Sequence, residues 1–157
     1  MRHFIKLFLL ALAFLSSQAW GNPADAIITL TQIAPTKQWN AQNAIEVDID
    51  CDNKKDYVFL SQADSKVTIG MVLGRQPNKA YFSEITMRDD KKEACLGTAT
   101  ILAESMDYEP KFVTGKSVEG FKRSQCLAFR LSAGKCESYH FFWNVQQDRP
   151  AWWRWSK

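Results

Sequence analysis

The chain is short of histidine, of excess charge and of apolar runs. Only 2 of its 157 residues are histidine, His3 and His140. After Leu15 no stretch approaches the roughly 20 apolar residues a membrane helix needs, so no span is expected in the body of the chain. The formal net charge is +3, far from the strong basic excess of a protein that grips phosphate backbones, and nucleic acid is not expected as a partner. There is no G-x-S-x-G sequence for a serine nucleophile and no C-x-x-C pair for zinc. No repeat, low-complexity tract or linker divides the chain.

The N-terminus has three parts. Arg2 and Lys6 are basic, Leu7 to Leu15 (LFLLALAFL) is apolar, and Ser16 to Gly21 is small and polar. That is the pattern of a secretory signal, with residues 1–21 removed after Gly21; a cut after Ala19 fits nearly as well. Removing 21 residues from 157 leaves 136, and loss of two basic residues lowers the net charge to about +1. Residues 22–157 then suit a single domain with its own core, periplasmic or secreted. Only His140 would survive cleavage, which excludes a two-histidine metal site.

All four cysteines, Cys51, Cys95, Cys126 and Cys136, lie beyond the cut. In an exported chain an even count reads as two disulfides. Four cysteines allow three pairings; the expected one is Cys126 with Cys136 across a local hairpin, and Cys51 with Cys95.

The periodicity is that of strands. Ile45, Val47 and Ile49 alternate with polar residues, and Tyr57–Leu60, Val67–Leu73, Ala80–Met87, Thr98–Ala103, Cys126–Leu131 and Cys136–Trp143 read as further strands. Asp25–Ile33 fits either a short helix opened by Asn22-Pro23 or a β-segment. Asp89–Glu93 reads as a solvated charged loop, and Met106–Gly120 as an exposed one. The expectation is a mainly β protein: a single small antiparallel sheet or barrel-like domain, one or two short helices and two disulfides.

The most informative stretch is Asp48-Ile49-Asp50-Cys51-Asp52-Asn53-Lys54-Lys55-Asp56-Tyr57. Carboxylates at positions 1, 3 and 5 of a tight loop can converge on one point. The Lys54 backbone carbonyl at position 7 and Asp56 at position 9 would complete an oxygen cage for a hard cation. An EF-hand is excluded because position 12 is Phe59. Residues 48–57 resemble the calcium loop of FG-GAP repeats, the D-x-D-x-D-G-x-x-D loop between antiparallel strands in integrin α-type propellers. Asn53 replaces the motif glycine, and a single copy excludes a propeller. The resemblance implies a structural calcium ion on Asp48, Asp50, Asp52, the Lys54 carbonyl and Asp56. The alternative is a solvated acidic turn, with Lys54 and Lys55 offsetting its charge.

No enzymatic constellation stands out, and the chain is not expected to be an enzyme. His140 sits in a β-run without a recognisable nucleophile, and Glu46, Glu104 and Glu137 are unassigned carboxylates. The C-terminal Trp152, Trp153 and Trp155, with Arg154, are candidate ligand contacts that stack on sugar rings or anchor in a partner. Alternatively, a last strand lays them over the core. The function expected is that of a small exported binding protein with a calcium-stabilised acidic loop. Its partner would be a protein or a glycan: it would act as an inhibitor or immunity-type protein against a hydrolase, or as a carbohydrate- or envelope-binding module.

Overall fold

A computed structural model describes residues 22–86, 98–110, 115–134 and 136–154. The signal-like segment 1–21, the charged loop 89–93, Cys95 and Trp155 lie outside the described residues.

The ambiguous N-terminal segment is a helix, α1 (Pro23–Ile33). Its start is a capping box: the Asn22 side chain accepts from the Asp25 backbone N–H, and Asp25 reaches back to the Asn22 N–H, with Pro23 in the first turn. Ala26 and Leu30, four apart and hence on one face, are buried. Capping and this apolar stripe outweigh the β-branched residues between them.

Among the described residues, eight strands follow a short 3₁₀ turn (Ala41–Asn43): β1 (Ile45–Val47), β2 (Asp56–Ala63), β3 (Lys66–Val72), β4 (Ala80–Thr86), β5 (Ala99–Ser105), β6 (Leu127–Ala133), β7 (Tyr139–Asn144) and β8 (Arg149–Trp153). They form two antiparallel meanders, ordered β1-β2-β3-β4 and β5-β6-β7-β8. The expected single sheet or barrel is therefore corrected to two four-stranded sheets that do not close. They approach along one side, where β1 lies against β5 and β6 and the Asp48 N–H donates to the Leu127 carbonyl. On the other side β4 and β8 remain sheet edges.

Register explains the layering. Val58 and Leu60 face Met71 and Ile69 across the β2–β3 ladder, and these side chains join Ile101, Phe129, Leu131 and Phe141 of the second sheet in one core. Tyr57, Phe59 and Val72 alternate to the other face and meet Ala26 and Leu30 of α1. With both faces covered, β2 and β3 read as nearly continuous apolar runs.

Part of the outer face of the second sheet is covered too. Phe121 packs edge-on against Phe142, and Tyr108 against Trp153. Met106 is buried, and Tyr108, Val118 and Phe121 are partly buried on the core. The expectation of an exposed 106–120 loop holds for Asp107, Gly115, Lys116, Ser117 and Glu119 but not for Met106, Tyr108 and Val118, which pack on the sheet without any helical or strand period.

One disulfide is present among the described residues, Cys51–Cys126. It overturns both expected pairings. Cys126 lies just before β6 and Cys136 beyond its far end, so the seven residues of that strand separate them. At roughly 3.3 Å per residue that is about 23 Å, far outside bonding reach. The observed bridge instead fastens the acidic loop of the first sheet to the start of β6.

Candidate metal centre

The acidic loop joins β1 to β2 and turns sharply. Cys51 and Asn53 adopt φ of 61° and 64°, so Asn53 takes the left-handed conformation that the motif glycine would supply. The carboxylates hold the turn. Asp48 accepts from the N–H groups of Asp52 (3.0 Å) and Asn53 (3.2 Å), and Asp52 accepts from Lys54 (2.8 Å).

Three of the four aspartates converge. One oxygen from each of Asp48, Asp50 and Asp56 lies within 4.8 Å of the others. Calcium–oxygen distances run about 2.3–2.6 Å, so atoms spaced this way can all touch one ion. Hard carboxylate oxygens are the donor chemistry such a cation selects, and the residues fit it. Asp52 is not one of the converging three. Lys54 enters the loop through its backbone N–H, and its Cβ packs close to Gly74.

Asp56, the first residue of β2, is fully buried. Its two oxygens accept from the Ile49 and Gly74 N–H groups, each at 2.9 Å. Burial pushes its carboxyl up to about 7, aided by the charges of Asp50 and Asp52 and opposed by the two N–H donors. Asp50 is likewise raised by burial, with the hydrogen bond from Arg75 pulling the other way.

Arg75 is the residue that sequence reasoning missed. Its Nε donates to Asp50, its Nη2 donates to Asp148 at 3.0 Å, and its guanidinium lies over the Trp143 ring. It comes from the β3–β4 turn, 25 residues beyond Asp50, and nothing in Gly74-Arg75-Gln76-Pro77-Asn78 marks it as a partner of the acidic loop. Lys55, by contrast, pairs outward with Glu46 at 2.7 Å. Gly74 has a packing reason to be glycine: a Cβ there would lie 2.5 Å from the Lys55 carbonyl oxygen.

The other candidates are dispersed. His140 meets both oxygens of Glu104, at 2.8 and 3.0 Å, through Nδ1 and stacks on Trp153 with ring centroids 4.2 Å apart. These contacts tie β5, β7 and β8 together. Trp153 is buried on the outer face of its sheet beneath Tyr108, while Trp152, on the opposite face of β8, is 46% exposed.

The described residues thus define an antiparallel β protein with a convergent carboxylate cluster, and contain no helix long and apolar enough to cross a membrane. Neither family models, curated proteins nor solved structures match the chain.

Proposed function

We propose that this is an exported binding protein whose acidic loop is held by a structural calcium ion on Asp48, Asp50 and Asp56. The convergence of those three carboxylates carries the reading. The ion, when bound, supplies positive charge at a focus of anions; the Lys54 carbonyl is the further oxygen that the FG-GAP resemblance implies. The surroundings favour a structural role. The loop is locked by Cys51–Cys126, by the Asp48–Leu127 backbone bond and by Arg75, so it is a rigid junction between sheets. Export is supported by the basic, apolar and small-residue order of residues 1–21 and by the disulfide, which persists in oxidising compartments.

Calcium added to chelator-treated protein is expected to raise the melting temperature. At a hundredfold excess over Kd the gain is about 2.7 kcal/mol, or roughly 10 °C for a chain of this size. Asp48→Asn, which keeps an oxygen for the turn but removes a charge, should abolish the gain. An unchanged wild-type melting temperature would refute the reading and leave Arg75 as the cation that the loop uses.

A further inference from the structure

The two sheets approach at β1 and β5 but leave a cleft at their opposite edges. Between β4 and β8 lies a depression of about 370 Å³, lined on one side by Tyr81, Phe82 and Ser83 and on the other by Gln147, Arg149 and Trp152. Two of these are large aromatics left substantially in water: Phe82 is 40% exposed and Trp152 46%. Register shows why. Trp152 pairs with Phe141 across β7–β8 and so belongs to the face of its sheet that carries core residues. Beyond β8, however, no further strand of the described residues pairs with the sheet, and Trp152 stays at its open edge.

The charged residue of the lining is a cation, and two more cations stand on rings of the flanking strands. Arg149 is part of the lining, with its Nε on Gln147 Oε1 at 2.8 Å. Lys79 Nζ sits 4.4 Å from the centre of the Tyr81 ring. The Arg154 guanidinium lies over Tyr139, the ring against which Trp152 packs edge-on. No ion pair joins any of these three cations to a carboxylate of the described residues. The carboxylates adjacent in sequence to the lining are already engaged: Asp148 by Arg75, and Glu84 by Lys37 and Lys66.

We propose that the β4–β8 cleft is a binding site for an anionic oligosaccharide of the uronic-acid or sulfated class. Sugar rings present apolar faces that pack on half-exposed aromatic rings, here Trp152 and Phe82. Their hydroxyls suit the amide of Gln147 and the hydroxyl of Ser83, and their acid groups suit Arg149 and Lys79. An added peptide strand fits less well, because Pro150 in the lining interrupts the row of N–H donors that a ladder on β8 would use. The inference goes beyond the calcium reading and does not depend on it.

The test uses the mature protein in chelator, so that failure of the calcium site and failure of this site are distinguishable. Oligogalacturonate, hyaluronan and heparin-derived hexasaccharides are titrated by calorimetry and tryptophan fluorescence, beside a neutral glucan hexasaccharide and an acidic peptide. At least one anionic sugar is expected to bind, more tightly than the neutral glucan and the peptide. Trp152→Ala and Arg149→Gln, both at exposed positions, should each weaken that binding at least tenfold while leaving the melting temperature within a few degrees. Absence of binding by every anionic sugar, equal binding of the neutral glucan, tighter binding of the peptide, or undiminished binding by both variants would each overturn the proposal.

Discussion

Asp56 shows how one residue carries two opposed demands. As the first residue of β2 it must enter a buried strand, yet its carboxyl organises the loop by accepting from Ile49 and Gly74. The cost of burying a charge appears in its proton affinity, which is held up to about 7 against 3.8 for the free side chain. The sign of the pH dependence follows. Between about pH 4 and 7 the folded protein keeps a proton that the unfolded chain has released, so in chelator stability should fall as pH rises across that window and level off above it. Asp56→Asn should remove this part of the slope in denaturant titrations at pH 4.5, 6 and 7.5, whatever it does to absolute stability. A slope identical to wild type would show that another group titrates. Four aspartates in one loop are legible from their spacing alone; that Asp48, Asp50 and Asp56 converge while Asp52 does not is decided by the turn. Arg75 was not, because an ion pair across 25 residues leaves no local pattern.

At the scale of elements, α1 is docked by a glycine. Gly70, in the middle of β3, faces the helix, and a Cβ there would lie 2.7 Å from Leu30 Cδ2 and 2.9 Å from the Trp39 ring. Leu30 is wholly buried and cannot swing aside. Gly70→Ala is therefore expected to destabilise the protein by about 1–3 kcal/mol through overpacking and to alter the Trp39 environment. A neutral effect in thermal denaturation would mean that the helix yields at low cost. The strands are legible to within a few residues, β1 from period-two alternation and β2 and β3 from apolar, β-branched runs, because a strand covered on both faces loses the alternation. Eleven residues rich in isoleucine and threonine satisfy helix or strand alike, and only the capping box and the sheet beneath them decide for α1. The segment after Met106 is an exposed loop only in part: Tyr108, Val118 and Phe121 pack on a sheet face without any regular spacing that the sequence would show.

For the whole molecule, the decisive bond is Cys51–Cys126, which closes a span of 75 residues and joins the two sheets beside the acidic loop. Removing a bridge of this reach costs roughly 2–5 kcal/mol. The double variant Cys51→Ala/Cys126→Ala should lose that much in denaturant unfolding, and a non-reducing digest of the wild type should yield the peptide that links these two cysteines. Recovery of Cys126 linked to Cys136 instead would contradict the fold, because β6 stands between them.

Composition and periodicity by themselves determined a β-rich protein with a cluster of aspartates in one turn, because alternation and local spacing are properties of neighbouring residues. Which cysteines meet, that the meanders form two open sheets, that Arg75 reaches Asp50, and that a cationic aromatic cleft lies between β4 and β8 were decided by the tertiary structure alone. Each of these joins segments tens of residues apart. Such meetings are set by how two sheets and a helix pack to remove apolar area from water, and that packing is a property of the chain as a whole.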